Sequence, residues 1–445
     1  MSEMNGRQKI RTLYQFISEN LYFNRPDIEI EDEQFNSTLL FSLLTALVGG
    51  KALLIGEPGL GKTTSAEYVC ALFYRYPLGV IWGSEIAGHP EQTEEKIIGR
   101  PDLGRLNLGE EAVVWSSFTQ LPIKIVDEIN RLPETKQSLI LDGVDRGNWE
   151  YLNDYLINEE YCLFATANYQ DPGTNTVIPP LLDRFDLIME SKHPGANISF
   201  LIGQRAKKDE MLRDARYEEE IMKILGSRAA IKEKWSKLEE ICRGFGQQLH
   251  DRYGIESLST EERQAMREEI GLQEFSLEAS AFLRMALAEL SFCCKYGQKR
   301  SNEECDEGCH YSGYLCYQVK NCASNRLPIS IRKYAQALSW LAGAPRVDVE
   351  HVRHILPGAI AHRVQWRDSY ISAKERESRR DPLLIHLARQ ATSEIFRRFH
   401  EQQEEVMQAL AIAAHILEGA DLKPMDGDHP IYVEIKRDLG SDERW

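Results

Sequence analysis

The chain has 445 residues, a formal charge of −16 and 42% hydrophobic residues, enough apolar content for buried cores across about three domains. So acidic a balance argues against broad contact with nucleic-acid backbone or anionic membrane and in favour of protein partners. No stretch is long and apolar enough to span a bilayer, and the N-terminal MSEMNGRQKIRTLYQF lacks the apolar core of a signal peptide, so nine cysteines point to a reducing, cytoplasmic setting.

In chain order, ENLYF at 19–23 looks like a protease tag site but runs on into Asn24, and is read as native sequence. LLFSLLTALVGGKALLIG then reads as a helix, a turn and a buried strand. Further strands are expected over GVIW, PIKIV, YCLFATA and FDLIM, alternating with helical runs, the pattern of a mainly parallel sheet covered by helices. Beyond about residue 200 the periodicity is helical: EEEIMKILGSRAAIKEKWSKLEEICRGF, SLEASAFLRMALAELSF, IRKYAQALSWLAG and VEHVRHILPGAIAHRV. Asp381 and Pro382 form an N-cap and first-turn pair, and Leu384, Leu387, Ala391, Ile395 and Phe399 follow at helical spacing as a core-packing stripe. There is no internal repeat or low-complexity tract.

Chemistry enters at GEPGLGKTT, 56–64. Gly56, Gly59 and Gly61 let the backbone curl and turn N–H groups onto an anion, and the following helix adds its positive end. Lys62 can reach the β and γ phosphates, and the Thr63 hydroxyl is placed to ligate Mg²⁺. IKIVDEINR, 123–131, ends a strand in two carboxylates: Asp127 is read as holding Mg²⁺ through water and Glu128 as deprotonating the attacking water. Lys124 interrupts that apolar strand, and the sequence offers no reason for it.

FATAN, 164–168, places Asn168 where its amide can hold the lytic water against Glu128. In PPLLDRFD, 179–186, Arg184 is expected to be exposed and to serve a neighbouring subunit's γ-phosphate; taken alone it is a surface arginine paired with Asp183 or Asp186.

GEPGLGKTT, VDEINR, FATAN and LLDRF, in this order and at these separations, resemble the AAA+ ATPases, and DEINR followed by KQSLILDGVDRG resembles the MoxR family of the helix-2-insert clade. The resemblance implies an α/β P-loop core, a five-stranded, mainly parallel sheet with helices on both faces, followed by an α-helical lid and extra C-terminal helices. It implies ATP hydrolysis with ATP and Mg²⁺ held by Gly56, Glu57, Pro58, Gly59, Leu60, Gly61, Lys62, Thr63, Thr64 and Asp127. Glu128 is then the Walker B base, Asn168 sensor 1, Arg184 the arginine finger and Arg332, in SIR, the sensor 2 arginine. Domains follow as an N-terminal helical extension, 1–35; the nucleotide-binding core, 36–195, with a hairpin inserted at about 95–115; the lid, 196–364; and a C-terminal helical extension, 365–445. The inserted hairpin is implied to face a pore or substrate. Two features depart from the usual family form: Asn168 is followed by Tyr169 and Gln170, with the proline deferred to Pro172, and the segment before LLDRF is a residue short, as in the magnesium chelatase ATPase subunit.

The function implied is a ring-forming, usually hexameric, ATPase that remodels or activates a protein client, in this family often one bearing a von Willebrand factor A domain. The alternatives are the motor of a McrB-like nucleic-acid-processing assembly, which the acidic balance disfavours, and a metal-chelatase subunit. Six of the nine cysteines, at 293, 294, 305, 309, 316 and 322, lie beside His310 in a polar insertion, 293–322. Their irregular spacing fits either a structural Zn²⁺ site, Cys305, Cys309 and Cys316 with Cys293 or Cys294, of which Cys294 continues the apolar helix face, or free, partly buried thiols.

Overall fold

KALLI forms a strand because it is apolar, β-rich and followed by a glycine turn, and in the computed structural model of the protein it is an interior strand, second from one edge, of a five-stranded parallel sheet. The structure describes residues 4–109, 111–168, 177–205, 208–291, 311–375, 383–417, 427 and 429–439. The strands are β1 (Lys51–Ile55), β2 (Ile86–Ala87), β3 (Ile123–Asp127), β4 (Cys162–Ala167) and β5 (Leu187–Glu190). Their spatial order is β5-β1-β4-β3-β2. The register pairs Ala167 with Ile55 and Ala165 with Val126, so the loops after β1, β3 and β4 leave one edge of the sheet together. Ligand sites in such sheets lie outside the carboxyl ends of the strands.

Helices α1 (Gly6–Asn20), α2 (Ser37–Val48) and α3 (Lys62–Tyr74) precede and follow β1. The Asn36 side chain caps α2 by accepting from Leu39 N at 3.1 Å, and Gly49 ends it at φ 59°, so the apolar run divides into helix, turn and strand as its glycines predict. The expected strand over GVIW is instead helix, Leu78–Ser84. Pro77 presets the entry to that helix, Leu78, Val80 and Ile81 turn inward, and the strand follows as the short β2.

The expected insertion hairpin is present: Gly99–Pro101 pairs antiparallel with Val113–Trp115. A second hairpin, Asn148–Tyr151 with Asp154–Ile157, follows α4 (Glu134–Arg146). Helices α5 (Pro179–Leu182) and α6 (Ala196–Gln204) flank β5.

The helical run expected over 218–245 breaks after Leu225 into Ala215–Leu225 and Ile231–Tyr253. Where the sequence pattern changes at about 195, compactness divides the chain later, into Met1–Leu272 with Leu341–Gly343, and Gln273–Trp340 with Ala344–Trp445. The second unit is helical: Leu277–Ser291, Arg326–Ala342, Val349–Ile360, Leu383–Glu401, Gln403–Leu417 and Ile431–Leu439 are its main elements. Phe282 meets the rings of Phe396 and Phe399 in its core, and Leu387, Ala391, Ile395 and Phe399 are buried, whereas Leu384 is 39% exposed. The expected cap at Asp381 and Pro382 lies outside the described residues. Among the described residues no helix is long and apolar enough to cross a membrane.

Lys124, on β3, is fully buried and its position is explained by three carbonyls. Its Nζ donates to Phe118 O at 2.6 Å and Thr119 O at 2.9 Å, and also to Leu121 O, capping the buried C-terminal end of the short helix Ser117–Gln120. The rings of Phe118 and Trp149 flank the ammonium at 5.6 and 5.8 Å.

Candidate functional site

The phosphate loop joins β1 to α3 through residues that only glycine accommodates easily. Gly59 and Gly61 sit at φ 77° and 72°, and a Cβ on Gly56 would lie 2.7 Å from Ser191 O. Glu57, Pro58 and Gly59 are exposed at the loop's crest, and Leu60 O accepts the Ser191 hydroxyl at 2.8 Å, which ties the loop to the end of β5. Lys62 begins α3 with its side chain turned into the loop. Its Nζ donates to Gly56 O at 3.0 Å, Glu57 O at 2.9 Å and Asn168 Oδ1 at 2.7 Å. Burial lowers the Lys62 pKa, and the charges of Asp127, Glu128 and Glu57 oppose that shift.

Thr63 Oγ1 donates to Asp127 Oδ1 at 2.7 Å, so two oxygens suited to a hard cation stand side by side. Glu128 lies in the left-handed region at φ 50°. Its two carboxylate oxygens are held separately: Asn168 Nδ2 donates to Oε1 at 2.8 Å, and Arg131 Nη1 is 2.9 Å from Oε2. Lys62, Asn168 and Glu128 therefore form one chain of polar contacts and Thr63 and Asp127 a second, side by side at the carboxyl edge of the sheet. The exposed, glycine-formed loop above them, with a lysine and a hydroxyl–carboxylate pair at its base, fits a Mg²⁺–nucleoside triphosphate.

Three supporting residues went unmarked in the sequence. Thr166, fully buried on β4, donates to Asp127 Oδ1 at 2.6 Å and accepts Glu128 N at 2.8 Å. Gly88 N donates to Asp127 O at 2.6 Å, and a Cβ there would meet Glu128 O at 2.0 Å, so only glycine allows this approach. Arg131 is the third. A hydroxyl inside a fully apolar strand is the signal that could have found Thr166; for Gly88 there was none.

A cavity of about 390 Å³ adjoins the phosphate loop, lined by Tyr22, Phe23, Gly61, Thr64, His193 and Lys208 among others. Leu21 and Tyr22 of ENLYF are buried, so this run is part of the fold. Phe23 carries the Arg205 guanidinium at 4.8 Å from its ring centroid, and Lys208 Nζ donates to Leu21 O at 2.6 Å. A flat aromatic wall beside the phosphate loop is where a nucleobase can lie.

Arg184 is not the open arginine expected, nor is it shown paired with Asp183 or Asp186. Its Nε is 2.9 Å from Asp145 Oδ1 and its side chain is 21% exposed. Arg332 is exposed on Arg326–Ala342 and stacks its guanidinium 4.5 Å from the Phe275 ring centroid, both within the second unit. Of the cysteine cluster, Cys293, Cys294, Cys305 and Cys309, with His310, lie outside the described residues. Cys316 is buried in the short helix Leu315–Gln318, which packs on Leu277–Ser291, and Cys322 is half-buried. Among the described residues no cysteine belongs to a group of three potential metal ligands.

A search of curated proteins finds no match. A solved structure described as "a putative ATPase from Cytophaga hutchinsonii" is 16% identical over 88% of this chain and 94% of its own, with a TM-score of 0.58. At that identity the likeness is one of fold: an α/β core with helical elements after it. The family model for the AAA domain of the dynein-related subfamily matches residues 51–185, from the first residue of β1 to the residue after Arg184, and over that span the chain carries an AAA domain.

Proposed function

We propose that the chain is an ATPase of the MoxR type, with residues 36–195 as its nucleotide-binding core. It assembles into a ring, a hexamer, and uses hydrolysis to remodel or activate a protein client bearing a von Willebrand factor A domain. One observation carries the catalytic part: Lys62, Thr63, Asp127, Glu128 and Asn168, separated by up to 106 residues in sequence, meet within hydrogen-bond distance.

In this reading Thr63 and Asp127 hold Mg²⁺, which when bound offsets phosphate charge. Lys62 exchanges its loop carbonyls for phosphate oxygens and so both binds and orients the nucleotide. Glu128 takes the proton of the attacking water, which Asn168 aligns, and Arg184 acts on the nucleotide of a neighbouring subunit. Arg332 reports nucleotide state from the helical region. Leu103, Leu106 and Leu108 on the inserted hairpin are 69%, 46% and 78% exposed, which supports a client-facing role for that element.

The test is turnover of ATP and GTP by the purified chain, followed by capture of partners on Glu128→Gln protein held with ATP. Absence of Mg²⁺-dependent hydrolysis would reject the ATPase; hydrolysis stimulated by duplex DNA instead of a protein partner would favour the nucleic-acid motor. A structural Zn²⁺ on Cys294, Cys305, Cys309 and Cys316 remains part of the proposal, and elemental analysis of protein purified without added metal tests it: one zinc per chain supports it and none rejects it.

A further inference from the structure

We propose that Asp145 is a positioning residue for Arg184, holding the guanidinium by one edge so that its remaining N–H groups face the γ-phosphate of a neighbouring subunit. The proposal rests on the reading of Arg184 as the arginine that acts across the ring.

Arg184 follows α5, only four residues long, and its backbone N donates to Leu181 O at 3.0 Å. A long side chain leaving so short an element would sample many rotamers, and fixing it costs about 2 kcal/mol of entropy. Here two of its nitrogens donate hydrogen bonds and the third stands at ion-pair distance. Nε lies 2.9 Å from Asp145 Oδ1, Nη2 lies 3.4 Å from Asp145 Oδ2, and Nη1 donates to Pro180 O at 2.8 Å. This is a side-on grip. Of the five N–H groups of a guanidinium, two donate hydrogen bonds among the described residues, Nε lies buried beside the carboxylate without one, and one N–H on each Nη is left for an anion.

The position of the carboxylate is itself informative. Asp145 is in the last turn of α4, which ends at Arg146 with Gly147 at φ 67°. A negative charge at a helix C-terminus opposes the helix dipole. Helix stability therefore gives no reason for an aspartate there, whereas the cation of Arg184 does.

The platform is firm. Gln137 Oε1, on the same helix, accepts Ile178 N at 2.8 Å, so α4 grips both ends of the 178–184 segment. Gly143 lets α4 press onto Trp149, since a Cβ there would fall 2.2 Å from that ring. Asp145 is thus fixed by its helix and transmits that order to Arg184.

The test compares Asp145→Asn, Asp145→Glu, Arg184→Ala and Asp145→Asn with Arg184→Ala, measuring kcat, KM for ATP, ring assembly and thermal midpoint. Asp145→Asn is expected to lower kcat about tenfold or more with KM and assembly unchanged, because misplacing a reacting group by about an ångström costs up to about a hundredfold. Asp145→Glu should recover part of the loss, and the double variant should be no slower than Arg184→Ala alone. Arg184→Ala at full turnover would overturn the finger and this proposal together. Arg184→Ala slow beside Asp145→Asn at full turnover would overturn the positioning role alone. So would a loss in Asp145→Asn that tracks lost assembly or adds fully to that of Arg184→Ala.

Discussion

Thr166 donates its hydroxyl proton to Asp127 Oδ1 at 2.6 Å from the adjacent strand. Thr166 Oγ1 in turn accepts Glu128 N at 2.8 Å, so one buried side chain orients both carboxylate residues. Glu128 needs such support, since a left-handed backbone costs a non-glycine residue about 1–2 kcal/mol.

Thr166→Val keeps the shape and removes both bonds. With one of them to a charged group, the loss is about 2 kcal/mol, which predicts turnover reduced more than tenfold if most of it falls on the transition state. Thr166→Ser should restore most of it. Steady-state kinetics on both variants, with equilibrium nucleotide binding, provide the check; equal turnover in Thr166→Val would show that Asp127 and Glu128 are held well enough without it.

Glu128→Gln should bind ATP and Mg²⁺ yet hydrolyse at least about tenfold more slowly, and Lys62→Ala should lose binding itself. If Arg184 acts across the ring, activity per subunit rises with concentration, and mixing Arg184→Ala with Glu128→Gln subunits restores some hydrolysis. Turnover measured across mixing ratios decides this; a mixture no better than its parts argues for a site complete within one chain.

Much of this was legible in the sequence because phosphate chemistry fixes residue types at short spacings. The loop 56–64 and the pair Asp127–Glu128 are such local patterns, and the parallel sheet follows from the alternation of β-type and helical runs. What stayed hidden depends on contacts between distant segments. The Lys124 carbonyl cage exists only once Ser117–Gln120 folds back on β3. The hairpin 148–157 turns through Leu152 and Asn153 at φ 48° and 59°, a conformation that usually calls for Asn-Gly, so its turn gave no warning. Asp145 and Arg184 are 39 residues apart, and nothing local links them.

Lys124→Met replaces a caged ammonium by an apolar chain of similar length and leaves three carbonyls without their donor. Losing one partner of a buried polar group costs about 1–3 kcal/mol, more for a charged one, so this variant is predicted to lose roughly 3 kcal/mol. Urea unfolding followed by tryptophan fluorescence, which includes Trp149 beside the cage, measures it. A change below about 0.5 kcal/mol would mean that the carbonyls are satisfied equally well by water or by rearrangement.

Glu85 supplies a pH test. Its carboxyl, between Leu78–Ser84 and β2, is pushed up to about 8, first by burial and then by the negative charges of Glu67 and Asp127, with Lys96 opposing. Glu67 is itself raised to about 7 by burial. A folded pKa above the ordinary 4.5 means that the native state binds more protons than the unfolded chain between pH 4.5 and 8. Stability contributed at this locus is therefore greatest at the acid end of that window and falls as pH rises through it. Glu85→Gln removes the titration and resembles the protonated acid. Its unfolding midpoint should match the parent's near pH 5 and exceed it above pH 8. Solvent still reaches part of the carboxyl, which brings the expected gain to on the order of 1–2 kcal/mol, a few degrees in midpoint for a unit of this size. The comparison is made without nucleotide or Mg²⁺, so that no added charge alters Asp127. A difference between the two proteins that stays constant from pH 5 to 9 would show that the Glu85 carboxyl does not titrate in this window.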